Sequence, residues 1–271
     1  MNLIANEWMK IFKKASTYVM LGLLVVIITG VAGLSKYIEL NEEQTAESSS
    51  DWKQVLTEET EMLKTERAAS SGDRDFYDRH IAMNEYRLDH DIPPVNELDA
   101  WSFVNEMVPL INFIAIITIT VAAGIVASEF STGTIKLLLI RPVSRVKILL
   151  SKYVTIVLFS IGIVLFTFAV SWIVGALLFG FGDAGPYLSY ANGEVIERTQ
   201  LGNALFTYGI SSIGLFMLTT MAFMISAAFR NSSLAIGISI FLLLMGSNIT
   251  QILALKFEWA KYSLFANTNL M

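Results

Sequence analysis

The sequence predicts an all-α polytopic membrane protein: an N-terminal amphipathic interfacial helix, five transmembrane helices, and a helical extracytoplasmic loop between spans 1 and 2. Three observations carry this reading. The 271 residues are 54% hydrophobic and only 16% charged, whereas an ordinary soluble domain carries about 25% charged residues. Five stretches of 17 to 27 residues contain no Asp, Glu, Lys or Arg, and a hydrocarbon core of about 30 Å needs about 20 apolar residues in helix. Basic and non-basic segments alternate between those stretches. In lipid every backbone polar group needs a partner within its own segment, so helices are the reading for runs this long.

Residues 1–17 form the elbow. Leu3, Ile4, Trp8, Ile11 and Phe12 recur at three- and four-residue steps, while Asn6, Lys10, Lys13 and Lys14 lie opposite. This pattern suits a helix lying in the headgroup layer with its lysines toward anionic lipid. The spans are residues 18–34, 107–127, 153–179, 205–229 and 234–255. The first superficially resembles a secretory signal, but no small-residue cleavage site follows Leu34, so it is read as a retained span.

The charge pattern gives the orientation. Residues 1–17 carry a net +2, and residues 128–152 hold five basic residues against Glu129. Between Lys36 and Asp99 there are 17 acidic and 7 basic residues, a net of −10. The N-terminus and residues 128–152 are therefore expected in the cytoplasm, with residues 35–106, 180–204 and 256–271 outside.

Within the acidic loop, Trp52, Val55, Leu56, Glu59, Met62 and Leu63 keep a helical spacing that Ser70-Ser71-Gly72 breaks. A second helix through Tyr77, Ile81 and Leu88 is expected to stop at Pro93-Pro94. His80 and His90 are the only histidines, and their spacing fits no known metal-ligand pattern, so no metal site is expected. With no Cys, thiolate sites, disulfides and a cysteine nucleophile are excluded.

The informative stretch is A-S-E-F-S-T-G-T-I-K-L-L-L-I-R-P-V-S-R-V-K-I-L-L-S-K, residues 127–152. It reads as two short helices joined by a corner. Phe130, Thr134, Leu137 and Leu138 share a face of the first, and Pro142 disfavours helix at Arg141. Ser144 is placed to cap the second, with Val143 and Ile148 as a hydrophobic staple. The second helix continues into span 3, so force on the corner is expected to move the span rigidly. Arg145 and Lys147 oppose the helix dipole there, which points to a role in topology or partner binding. Charge alone would suit a generic basic loop; it does not account for Gly133-Thr134 and Pro142-Val143-Ser144-Arg145 at these spacings.

That segment resembles the coupling loop of ABC-2 type transporter permeases, the membrane subunits of bacterial ABC exporters, which implies a Gram-positive exporter. The family loop follows the second span, carries E-x-x-x-G-T and P-x-S-R, and docks on an ATP-binding subunit. Glu129, Gly133, Thr134, Arg141, Pro142, Ser144, Arg145 and Lys152 fall on that pattern. The order of elbow, spans and loops is similar too, and Trp259–Met271 resembles the outer re-entry segment before a last helix.

The resemblance implies a permease in the bacterial cell membrane, paired with an identical or similar permease chain and with two copies of a cytoplasmic ABC ATPase that binds Mg-ATP. The chain itself would hold no cofactor and catalyse nothing. The family has six spans, and a trimmed sequence is the expected reason that five are visible, because residues 256–271 otherwise lead nowhere.

The remaining motifs narrow the function. No G-x-x-x-x-G-K-[ST], H-E-x-x-H or G-x-S-x-G is present. Gly180-Phe181-Gly182-Asp183-Ala184-Gly185 fits a dinucleotide fingerprint by letter, but a span precedes it and Pro186 follows, so it reads as an exit turn. No nucleic-acid partner is indicated. The spans lack ionisable groups, which favours export of a hydrophobic or amphipathic peptide, lipid or drug over a fixed ion ladder. Asn248 and Gln251, one turn apart, are the candidates for pathway lining. The alternatives are a non-transporting sensor or peptide-immunity protein, or a sodium-exporting ABC permease.

Overall fold

A computed structural model describes residues 3–45, 52–69, 74–93, 98–134, 144–181, 186–191, 193–229, 231–257, 262 and 265. The elements are α1 (Leu3–Phe12), α2 (Ala15–Thr45), α3 (Trp52–Ala69), α4 (Arg74–Asp89), α5 (Ala100–Glu106), α6 (Leu110–Ser131), α7 (Arg145–Leu178), β1 (Tyr187–Ala191), β2 (Glu194–Arg198), α8 (Gln200–Ala228) and α9 (Ser232–Ala254). Five of them, α2, α6, α7, α8 and α9, are long and apolar enough to cross a membrane. Large side chains such as Val26, Leu165, Leu177, Phe241 and Leu244 stand exposed along these helices. A water-soluble surface avoids such an expanse, whereas lipid accommodates it. The chain is a helical multi-pass membrane protein.

The helices overrun the uncharged stretches. The stretch 18–34 lies inside α2, whose 31 residues reach about 46 Å, well beyond a hydrocarbon core. Lys36 and Glu39, paired at 3.1 Å, lie in this overrun. α7 likewise begins eight residues before the stretch 153–179.

The chain divides into two compact units. The first comprises Met1–Ile27, Met107–Val170 and Thr207–Met271. At its centre α6 is the most enclosed span, because its small residues let neighbours approach. Ala122, Ala123 and Ala127 are buried on α6, and Ala222 and Ser226 on α8. The contact is close enough for the Ser226 hydroxyl to accept from the Val126 and Ala127 backbone N–H groups at 3.2 and 3.1 Å. Thr219 Oγ1 donates to Thr118 Oγ1 at 3.3 Å one stage along the same contact. Small and hydroxyl residues at a helix interface are how spans associate without a hydrophobic driving force. α9 packs on α6 and starts at Asn231, whose side chain accepts from the Ser233 and Leu234 N–H groups.

The second unit comprises Ile28–Glu106 and Ser171–Phe206. α3 and α4 form an antiparallel hairpin held by Arg67–Asp78 at 2.6 Å, Lys64–Glu85 at 3.0 Å and Lys53–Asp91, with Leu56, Thr60 and Ile81 buried. α4 stops before the prolines, not at them. Asp91 takes a left-handed φ of 55°, and the Ile92 N–H closes back on the Arg87 carbonyl at 3.0 Å, a helix-terminating geometry.

Two elements here were not expected from the sequence. β1 and β2 pair antiparallel, Tyr187 opposite Arg198 through Ala191 opposite Glu194, and pack on α4; Tyr86 donates to Glu197 at 3.2 Å. The short α5 begins at Asp99, whose carboxylate accepts the Ser102 N–H at 2.7 Å. Its first residue packs on Gly175, where a Cβ would lie 3.1 Å from the Ala100 carbonyl oxygen.

Candidate functional site

The segment between α6 and α7 is framed by two well-defined helix ends. α6 continues to Ser131, so residues 128–131 are its last turn and not the start of a separate short helix. Gly133 then adopts φ +73°, a left-handed conformation that glycine enters without steric penalty. Its N–H returns to the Phe130 carbonyl at 3.2 Å, and the Thr134 hydroxyl donates to the Glu129 carbonyl at 3.4 Å. Gly133-Thr134 is thus a helix stop. It also prevents Phe130 and Thr134 from sharing one helical face, which corrects that expectation. Arg141, Pro142 and Val143 lie outside the described residues, as does the rest of 135–143. On the far side, the Ser144 hydroxyl accepts the Lys147 N–H at 3.4 Å and α7 starts at Arg145. Arg145, Val146 and Lys147 are exposed.

The roots of both helices are tied together by a buried ion cluster. Lys152 is 2% exposed and its Nζ donates to Glu129 Oε1 and Glu7 Oε2, each at 2.7 Å. It also approaches the Ile125 carbonyl at 3.4 Å. Lys10 donates to Glu7 Oε1 at 2.6 Å and to Glu129 Oε1 at 3.2 Å, but half of its side chain faces outward. Two carboxylates and two ammonium groups make the cluster neutral. Burial raises the Glu7 carboxyl pKa, yet hydrogen bonds and charge from Lys10 and Lys152 outweigh it and hold Glu7 below the ordinary carboxylate range. Burial lowers the Lys10 ammonium pKa, and Glu7 and Glu129 more than restore it, leaving it above the ordinary lysine value.

α1 is held by more than charge. Phe12 meets Phe159 edge-on, ring centroids 6.0 Å apart, and Trp8 lies 3.8 Å from where a Cβ on Gly162 would stand. The corner into α2 is closed by the Thr17 hydroxyl donating to the Ile11 carbonyl at 2.7 Å.

These contacts redistribute the sequence-based candidates. Glu129 and Lys152 are too deeply buried to meet a partner, and they serve instead as an internal clamp. Lys10, expected to face anionic lipid, is turned into that clamp. Glu7 was not singled out from the sequence. Asn248 and Gln251 are exposed on α9; the polar lining of a small cavity nearby comes from Asn112, Ser211 and Ser247 instead. His80 and His90 rest against Phe76 and Tyr86 respectively, His90 stacked at 3.9 Å. Among the described residues no group of three or more His, Cys, Asp or Glu is placed to hold a metal ion. Of the segment 256–271, only 256, 257, Tyr262 and Phe265 are described.

Residues 78–271 match the family described as "Protein of unknown function (DUF2705)". The chain belongs to the DUF2705 family. Over its full length this DUF2705 chain is 45% identical to "Uncharacterized protein YhcI" of Bacillus subtilis (strain 168), covering 86% of that protein. It is 34% identical over 154 residues to "Uncharacterized membrane protein YdbK" of the same organism, covering 56% of this chain and 58% of the relative. No solved structure matches. The family match takes in Glu129, Gly133 and Lys152 but begins after Glu7 and Lys10.

Proposed function

We propose that this chain is the permease subunit of an ATP-binding cassette exporter of the ABC-2 type, driven by a separate cytoplasmic ATPase. In this reading two ATPase copies and a second permease chain complete the complex in the bacterial cell membrane, and the N-terminus is cytoplasmic. The observation that carries it is the sharply framed segment between Gly133 and Ser144, whose two root helices are locked to each other and to α1 by Lys152, Glu129 and Glu7. A lever needs such roots: motion imposed on the segment then enters α6 and α7 together instead of being lost in side-chain rearrangement. Exposed Arg145 and Lys147 at the start of α7 are placed for an acidic partner. In α8 and α9 no Asp, Glu, Lys, Arg or His occurs, and in α6 the single one is Glu129 near its end, which favours hydrophobic or amphipathic cargo over ions.

The test is to seek a P-loop ATPase among the neighbouring reading frames, co-express it with this chain, and follow with pull-down and ATPase assay in lipid. R145A combined with K147A is expected to weaken docking and abolish stimulation of turnover while the permease still folds. Unchanged docking and stimulation would overturn the proposal. A sensor or peptide-immunity reading has one supporting observation, the packing of the β1–β2 hairpin on α4 of the α3–α4 hairpin; it requires function without any ATPase partner.

A further inference from the structure

A crevice of about 670 Å³, lined in part by Glu7, Lys10 and Glu129 of the ion cluster, is within the range of about 300–1,000 Å³ typical of small-molecule sites. One wall is a single face of α6: Thr120, Val121, Gly124, Ile125, Ser128 and Thr132 line it. These residues span twelve positions, so the groove runs about 18 Å along the helix. Met20 of α2 and Ile236 of α9 complete the apolar wall. At the other end, where α1 turns into α2, the lining changes to Lys13, Lys14 and Ser16.

The two ends ask for different chemistry. Lys13 and Lys14 are exposed and make no ion pair among the described residues, whereas the four charges of the cluster cancel. The mouth therefore carries an uncompensated +2. Hydroxyl groups of Ser16, Ser128 and Thr132 stand with it. A free phosphate or other compact anion would use the mouth and leave the apolar wall of Val121, Ile125, Met20 and Ile236 empty. A cation would meet two unneutralised lysines. The occupant matched at both ends has an anionic head and a long apolar tail. The groove also has spare room in its floor, since a Cβ on Gly124 would meet nothing within 4 Å.

We infer that this crevice binds one anionic glycerophospholipid, its phosphate at Lys13 and Lys14 and an acyl chain laid along α6 between α2 and α9. The assignment does not depend on an ATPase partner. It gives Lys13 and Lys14 a defined ligand in place of diffuse attraction to a charged membrane surface.

Native mass spectrometry of the full chain in neutral detergent tests it, with phosphatidylglycerol and phosphatidylcholine of identical acyl chains supplied together. One phosphatidylglycerol retained per chain, in preference to phosphatidylcholine, is expected. Lysines near a lipid surface are each worth several-fold in affinity, so K13Q/K14Q should lower that retention on the order of tenfold, to the phosphatidylcholine level. G124L fills the groove and leaves both lysines, and should also release the lipid. Equal retention of the two lipids by the native chain overturns the inference. So does full retention by G124L, which would mean adsorption at the lysines alone. Complete displacement by millimolar inorganic phosphate overturns it in favour of a free-anion site. Should G124L fail to fold, a short-chain phosphatidylglycerol, which has the head group without the long tail, takes its place, and displacement of the long-chain lipid by an equimolar amount of it overturns the inference.

Discussion

Replacing Lys152 by Met removes the one ammonium group that is both fully buried and shared by two carboxylates. Glu7 and Glu129 then remain in the interior, at 7% and 8% exposure, with Lys10 as their sole cation among the described residues. Removing one partner of a buried ion pair costs about 3–5 kcal/mol, because the other charge is left uncompensated. Lys10 provides the internal control. It reaches the same carboxylates, but 53% of its side chain is exposed, so water screens it and Lys10→Met should cost only about 0–1 kcal/mol. The gap between the variants is therefore about 2 kcal/mol or more. Adding Glu129→Gln to Lys152→Met rebalances the cluster and should recover part of the loss, a non-additivity of about 1–3 kcal/mol. Denaturant unfolding in detergent reads all three, with circular dichroism for global helix and fluorescence of Trp8, which packs on Phe12, for docking of α1. If the two lysine variants agree within about 0.5 kcal/mol, or the double variant is strictly additive, the clamp is not what holds these helix roots.

Three further outcomes follow from local geometry. The Glu7 carboxyl is held below its ordinary value of 4.5, so its contribution is present above that pH and lost as pH falls through the lower folded value; Lys10, held above 10.5, contributes below that pH and loses its share as pH rises through the higher folded value. Unfolding measured across pH should thus show a flat plateau with an acid shoulder that E7Q removes. Gly133→Val forces a β-branched residue into φ +73°, a cost of about 1–3 kcal/mol, and should raise protease cleavage between residues 132 and 144. Asn231→Ala removes the acceptor for two N–H groups at the start of α9 and should lower stability by about 1 kcal/mol, measured in the same denaturant assay, with N231S largely restoring it.

What the sequence made legible depended on how local the cause was. The spans follow from charge-free runs, because desolvating one charge outweighs the local preferences of many residues. The α3–α4 hairpin was readable from spacing and from Ser70-Ser71-Gly72, although the stop of α4 lies in the backbone of Asp91 and not in the prolines beyond it. The β1–β2 hairpin had a signal that went unused. Tyr187–Ala191 and Glu194–Arg198 flank Asn192-Gly193, and Asn-Gly between short alternating runs is the strongest local mark of a two-residue turn. The ion cluster was not readable in this way. Glu7 and Lys152 are 145 residues apart, and nothing in either neighbourhood names the other. A carboxylate in an amphipathic helix reads as a solvated residue until tertiary packing buries it.

That burial changes which residues a docking experiment interrogates. Within E-x-x-x-G-T, the glutamate is internal and the glycine and threonine end a helix, so substitution at any of them disturbs the fold of this chain itself. Ser144 likewise acts by capping. Loss of ATPase binding in E129A would therefore report the collapse of a clamp as readily as the loss of a contact. Arg145, Val146 and Lys147 are different, being exposed on the first turn of α7. There the two cations sit against the positive end of the helix, unfavourable by some tenths of a kcal/mol each. An acidic surface brought against that turn relieves the repulsion and gains the charge contacts together. If the proposed ATPase docks here, it should therefore present carboxylates to residues 145–147, and charge reversal at Arg145 and Lys147, answered by the opposite reversal on the ATPase, is the cycle that separates docking from folding.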